Sequence, residues 1–176
     1  MLLPKSIVKA CANHVNDTTT RYALKSMKIE RDGNTGRALA TDGRRMIVCE
    51  WPESDLHEKR FPVDGIDLEP VVGFGTLLNP DDLSSMVRAK VAKYLSERCS
   101  SIAIQEVGAN GTVKVGVTNG VSATTSTVQS DDGVFPDWRR VIPDTTQAVF
   151  VTFNPQFMID ACKAMIDGGF VYEESR

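Results

Sequence analysis

The chain has 176 residues, 41% of them hydrophobic and 24% charged, with a formal net charge of −3. Such a chain is long enough for one domain with a real core and part of a second. The mildly negative balance excludes nucleic-acid binding through bulk charge, so any contact with DNA has to come from a local basic face. No apolar run approaches the ~20 residues that cross a bilayer, and Met1–Lys9 lacks the basic start and long apolar run of a secretory signal. The four cysteines (Cys11, Cys49, Cys99 and Cys162) are scattered and form no CxxC pair. Free thiols in a reducing cytoplasm are therefore expected.

The first predicted element is a helix over Pro4–Val15. Pro4 suits the first helical turn, and Ile7, Cys11 and Val15, widened by Val8, form an apolar stripe opposite Lys5 and Lys9. Asn16-Asp17 and the threonines after it end the helix. Tyr22–Arg31 alternates in part and reads as a strand, which DGNTG (Asp32–Gly36) turns into a second, Arg37–Thr41. Asp42-Gly43 is a two-residue hairpin signal, and RRMIVCE (Arg44–Glu50) returns as the third strand.

From Trp51 to about Val71 the prolines and Asp64-Gly65 read as loop. A strand over Val71–Leu78 leads to Asn79-Pro80-Asp81-Asp82, which combines an N-cap, a first-turn proline and two acids favoured by the helix dipole. The helix they open is expected to reach Ser96, with Leu83, Val87, Val91, Tyr94 and Leu95 as its apolar stripe and Arg88, Lys90 and Lys93 beside or opposite it. A second meander follows: Ser101–Val107, Thr112–Thr118 and Val121–Val128, joined by Asn110-Gly111 and Asn119-Gly120. After Ser130–Gly133 and FPDWRRVIP (Phe135–Pro143), the cycle begins again. It gives a strand over Ala148–Phe153, a helix opened by Asn154-Pro155 with Phe157, Met158, Ala161, Cys162 and Met165 as its apolar face, and a strand from Phe170 to Glu173.

Helix starts near 4, 80 and 155 give a period of roughly 75 residues, the mark of a duplicated architecture. Two helices on one side of a two-meander sheet make an α+β fold. The lysines of the two helices either form one shared positive face or solvate separate ones, and periodicity does not separate these readings.

Three stretches carry a family resemblance. ATDGRRM (Ala40–Met46) resembles the ATDGHRL hairpin of the bacterial DNA polymerase III beta subunit, the sliding clamp. FPDWRRVIP resembles that family's FPDYRRVLP segment at the exit of the middle domain, and RYALKSMKIE (Arg21–Glu30) resembles the strand before the hairpin. The resemblance places residues 1–146 as the middle domain, in half-units of about 1–70 and 71–146, and residues 147–176 as the beginning of a further half-unit. It implies the DNA-clamp fold, an α+β ring with helices facing duplex DNA and sheets outside.

The implied role is a processivity factor in DNA replication. It has no chemistry of its own and no cofactor or metal, and it contacts DNA weakly and without sequence preference, as sliding requires. Lys5, Lys9, Arg88, Lys90 and Lys93 become the DNA-facing set. Polymerase, clamp-loader and repair proteins are the implied partners, docking by short linear motifs, and a homo-oligomeric ring is the implied assembly. The partner-peptide groove maps onto Leu24 on the second strand, Thr41, Gly43, Arg44, Arg45 and Met46 of the hairpin, and Pro136, Arg140 and Val141 of the exit segment. Leu or Phe anchors of a peptide would meet Leu24, Met46 and Val141, with the arginines at the rim. Arg44 and Met46 stand where the family has His and Leu. The alternative is a clamp-like interaction module that does not encircle DNA.

An enzyme lacks its parts in this sequence. His14 and His57 sit in no zinc-binding arrangement. Asp81-Asp82 and Asp131-Asp132 read better as a helix start and a turn than as a Mg²⁺ site. GFGTLL (Gly73–Leu78) is no P-loop, because no Gly-Lys-Ser/Thr follows it.

Overall fold

A computed structural model describes residues 1–16, 18, 20–52, 75–86, 100–108, 110–118, 123–141 and 154–168. The expected strands over Ala148–Phe153 and Phe170–Glu173, and the helix beyond Met86 with Arg88, Lys90 and Lys93, lie outside the described residues.

The first strand is one that the sequence pattern did not reveal. β1 (Leu2–Pro4) precedes helix α1 (Lys5–Ala12) and pairs antiparallel with β6 (Ser101–Val107), Leu2 opposite Ala103. β6 continues into β7 (Thr112–Thr118) and β8 (Ala123–Gln129), giving a four-stranded sheet in the order β1-β6-β7-β8. The first half is built reciprocally. The meander β2 (Met27–Asp32), β3 (Thr35–Thr41) and β4 (Met46–Pro52) is extended by β5 (Gly75–Leu78), the strand before helix α3 (Pro80–Met86), in the order β4-β3-β2-β5.

Each half therefore gives the strand before its helix to the other half's sheet. This exchange makes one core of the two predicted units. Ile7, Val8 and Cys11 of α1 share it with Leu83 of α3, with Met27, Ile29, Ala38 and Ala40 of one sheet, and with Ile102, Ile104, Val113 and Val115 of the other. α1 lies against α3 and against strands β3 and β4.

Several element ends differ from the sequence reading, each for a local reason. Pro4 is not the first helical residue but the extended N-cap, because it still belongs to β1. α1 stops at Ala12, and Asn13 and His14 form a tight turn in which the His14 N–H donates to the Cys11 carbonyl at 2.8 Å. Tyr22–Lys25 is one helical turn, α2, and not the start of a strand. Its Leu24 carbonyl accepts from the Asn16 N–H at 2.7 Å, which folds the turn back toward the end of α1. The third strand begins at Met46 and not at Arg44, since the Asp42 side chain holds both intervening N–H groups.

FPDWRRVIP contributes one turn of helix, α4 (Trp138–Val141). The last helix, α5 (Pro155–Asp167), starts where Asn154-Pro155 said it would, with the Asn154 side chain accepting from the Gln156 N–H at 2.9 Å. Its orientation differs from the expectation. Of the expected apolar face only Phe157 is half-buried, while Met158 and Met165 are each 48% exposed and Ala161 and Cys162 are exposed too. The fully covered residue is Ala164, because α5 meets the body along Phe157, Asp160, Ala164 and Asp167, a different edge of the helix. Among the described residues no helix is long and apolar enough to cross a membrane.

Candidate functional site

The hairpin between β3 and β4 is built by its first acid. Asp42 Oδ1 accepts from the N–H groups of Arg44 (2.9 Å) and Arg45 (3.1 Å), and Oδ2 takes the Arg45 Nε at 3.0 Å. Burial raises the Asp42 carboxyl, but these hydrogen bonds and the Arg45 charge outweigh it and hold the group below its ordinary value. Thr41 closes the same turn from inside, its Oγ1 donating to the Arg45 carbonyl at 2.7 Å and accepting from the Gly43 N–H at 3.1 Å. Gly43 takes φ +89°, a conformation that favours glycine, and a Cβ there would sit 3.7 Å from the Leu24 Cδ1. Leu24 thus reaches the hairpin tip from α2, a helical turn and not the expected strand.

Strand alternation sorts the site into two faces. Ala38 and Ala40 join the core beneath α1. Arg37, Leu39 and Thr41 point to the opposite face, with Met46 beside Thr41 and Glu30 beside Arg37. The exit segment lies on that outer face. The guanidinium groups of Arg37 and Arg139 sit 5.3 and 4.3 Å from the centroid of the Trp138 ring, and Arg37 also bridges Glu30 (2.8 Å) and Glu50 (2.5 Å). Further back, Gly133 fits against the Ala23 backbone, the Ser26 hydroxyl bonds the Asp131 carboxylate, and the Asp131 N–H donates to the Leu77 carbonyl at 3.0 Å. These contacts carry the chain from β8 across to the first sheet.

Of the residues assigned to the groove, the structure gathers Leu24, Thr41, Gly43, Arg44, Arg45 and Met46 around one hairpin tip. Pro136 and Val141 stand in solvent, and Arg140 is exposed and paired with Asp137 at 3.0 Å. Trp138, not Pro136 or Val141, makes the segment's aromatic contact with the sheet. Sequence reasoning also missed Leu39, which faces the outer side and is fully buried, and Asp42, the acid that pins both arginine N–H groups. The signal for Asp42 was present in the Asp-Gly turn itself; Leu39 had no local signal.

Arg45 leaves the outer face altogether. Its guanidinium reaches the helix side, donating to the Asn13 carbonyl at 3.1 Å and to Asp160 of α5 at 2.5 Å, and it lies over the Phe157 ring at 4.9 Å. Of the DNA-facing set, Lys9 is exposed on α1 and pairs with Asp167 of α5 at 2.7 Å, while Lys5 sits half-buried at the start of the same helix. His14 is buried, its Nδ1–H donating to the Ala10 carbonyl at 3.0 Å, which makes it a packed histidine. No group of three or more potential metal ligands occurs among the described residues.

Known proteins resemble this chain in sequence and in fold. The Haemophilus influenzae beta sliding clamp is 30% identical over 142 residues, 79% of this chain and 31% of the relative. The Pseudomonas aeruginosa beta sliding clamp is 29% identical over 127 residues, 70% and 27% respectively. This chain is a relative of the beta sliding clamps. No family model matches it. The crystal structure of the DNA polymerase III subunit beta from P. aeruginosa shares its fold with a TM-score of 0.55 at 21% identity, over 82% of this chain and 34% of that one. A second P. aeruginosa structure, a DNA polymerase sliding clamp with ligand, gives 0.54 over the same shares. The chain spans about a third of the length of the sliding clamps it matches, and it has their α+β fold.

Proposed function

We propose that this sliding-clamp relative acts as a clamp-like processivity factor in DNA replication, without catalysis, and that its hairpin docks replication proteins. The observation that carries the reading is the similarity to beta sliding clamps over 142 residues, 79% of this chain. Residues 1–146 serve as the clamp-like domain and 147–176 as the beginning of the next half-unit, in a homo-oligomeric ring working in the cytoplasm.

The docking surface in this reading is the hairpin tip together with the exit segment. Apolar anchors of a short peptide would pack on Leu24, Met46 and Val141, and Arg44 and Arg140 would meet its polar groups. Lys5, Lys9, Arg88, Lys90 and Lys93 would face duplex DNA, and contacts limited to phosphates suit a protein that has to slide.

The test has two parts. Solution mass by light scattering should show a closed oligomer. In a peptide titration, Met46→Ala and Arg140→Ala should each weaken a Leu/Phe-anchored peptide several-fold with melting unchanged. Equal affinity in both variants removes the groove assignment, and a monomer at all concentrations removes the ring.

Two observations favour a second reading, an interaction module that does not encircle DNA. The ammonium of Lys9 is already matched by Asp167, and the chain carries a net charge of −3. Binding that persists on a closed circular duplex and is lost through the ends when that duplex is linearised excludes this alternative.

A further inference from the structure

The arginines around the hairpin and the exit segment differ in whether each already has a carboxylate. Arg37 is held by Glu30 and Glu50, Arg45 by Asp42 and Asp160, and Arg140 by Asp137. Arg139 stands 4.0 Å from Glu30 and over the Trp138 ring. Arg44 is exposed, and its guanidinium has no carboxylate partner among the described residues. The acid nearest to it in sequence is already engaged. Asp42 Oδ1 takes the backbone N–H groups of Arg44 and Arg45, and Oδ2 takes the Arg45 Nε. Arg45 itself turns to the helix side, where it donates to the Asn13 carbonyl at 3.1 Å. Asp42 and Arg45 therefore shape the tip, and Arg44 is the cation that the tip presents.

A single exposed cation is ordinary on a protein surface; the apolar neighbours make this one informative. Gly43, the residue before it, lies against Leu24, whose Cδ1 would be 3.7 Å from a Cβ at that position. Met46, two residues after it, pairs with Thr41 across the ladder. Adjacent Cα atoms are ~3.8 Å apart, and an extended peptide advances about 3.3 Å per residue. An apolar anchor seated on Leu24 and Met46 thus brings its next residues within reach of the Arg44 guanidinium. We propose that Arg44 is a specificity residue of the docking hairpin and selects a carboxylate, an Asp or Glu one or two positions from the anchor of the docked peptide. The guanidinium fork matches the two carboxylate oxygens, which a neutral amide does not offer. Arg44 is a permanent cation where the related family has a histidine, whose charge depends on pH. The inference rests on the hairpin reading above and adds the chemistry of the partner.

The experiment uses the full chain, wild type against Arg44→Gln, Arg44→Lys and Arg140→Gln. Two fluorescein-labelled hexapeptides with Leu and Phe anchors and amidated C-termini are titrated. They differ at one residue beside the Leu anchor, Asp in one and Asn in the other. Wild type should prefer the Asp peptide about fivefold at low ionic strength, and the preference should shrink with added salt. In Arg44→Gln the ratio of the two affinities should fall to about one, with melting unchanged. Arg44→Lys keeps the charge without the fork and should retain part of the preference. Equal affinity of wild type for the two peptides overturns the inference and leaves the hairpin reading standing. So does a preference that survives in Arg44→Gln and disappears in Arg140→Gln, which assigns the carboxylate to the exit segment. If a duplex oligonucleotide loses affinity in Arg44→Gln while the peptide ratio does not change, the tip reads phosphate and the inference falls. Absence of binding by both peptides to every form defeats the hairpin reading and the inference with it.

Discussion

The guanidinium of Arg37 lies over the indole of Trp138, 5.3 Å from the ring centroid, with Arg139 at 4.3 Å. Arg37 is itself fixed by Glu30 and Glu50 on the flanking strands. A residue from the segment after β8 is thereby tied to the middle of the first sheet. Trp138→Ala should cost about 1–2 kcal/mol, the scale of a partly desolvated cation–π contact plus lost packing. Its more telling effect should be local, with amides of residues 134–141 exchanging faster while β2 and β3 keep their protection. Trp138→Phe retains a ring face for the arginines and should recover much of the loss. Equal protection of the segment in wild type and Trp138→Ala would show that other contacts hold it.

Gly36 and Trp51 face each other across β3 and β4. A Cβ on Gly36 would come within 2.6 Å of the Trp51 Nε1, and that nitrogen donates to the Leu2 carbonyl at 3.0 Å. Gly36→Ala must therefore push the indole aside and break the bond that ties β4 to β1, the strand exchanged between halves. Overpacking together with an unpaired buried N–H should cost roughly 2–4 kcal/mol. Urea denaturation measures the loss, and a shift in tryptophan emission reports the displaced ring. Full stability in Gly36→Ala would mean that the indole has room to move that the contacts do not show.

Asp42 satisfies two backbone N–H groups and one guanidinium at the hairpin. Removing it in Asp42→Ala leaves these donors to water and frees Arg45, for a loss of about 1–2 kcal/mol. Asp42→Asn keeps one acceptor oxygen and should fall between the two. In both variants the effect should concentrate at residues 41–46 in hydrogen exchange, because the flanking ladder from Thr35 to Ala40 retains its partners. A uniform loss of protection across the sheet would argue against a local pin.

What the sequence made legible was local chemistry. Asp42-Gly43 turned where an Asx-Gly pair turns, and Asn79-Pro80 and Asn154-Pro155 opened helices because the Asn side chain accepts the orphan N–H two residues on. What it hid was partnership. β1 is three residues long and its partner begins at Ser101, so no window of sequence contains both. Tyr22–Lys25 looked like a strand because its two alternations are all that a local window shows; the bond from the Leu24 N–H to the Arg21 carbonyl at 3.0 Å winds it into a turn, and the Asn16 N–H ties that turn to the end of α1. The periodicity of α5 said which face is apolar but not which face is covered. The hairpin residues that the resemblance names do lie around one tip, yet nothing in the sequence said that Arg45 turns to the helix side toward Asp160. Leu39 and Trp138 matter through neighbours distant in sequence, and single-residue chemistry carries no trace of that.

His14 supplies a pH dependence whose sign is fixed by its surroundings. Burial lowers its pKa from the ordinary 6.5; the Ala10 carbonyl on Nδ1 works against this, and the Arg45 charge adds to the lowering. The carboxylates of Asp42 and Asp160 favour the cation, but they do not reverse the direction. The folded chain thus binds this proton less readily than the unfolded chain does. The stability associated with neutral His14 is complete above the unfolded value of about 6.5 and is lost as pH falls toward the folded pKa. Denaturation midpoints should therefore drop as the pH falls below about 6.5. His14→Gln removes the titration, so the difference between wild type and variant isolates it from the chain's other histidine, His57. A difference that stays flat across that range, or one that grows in favour of wild type on acidification, would show that His14 does not sit in the neutral, buried state that its contacts describe.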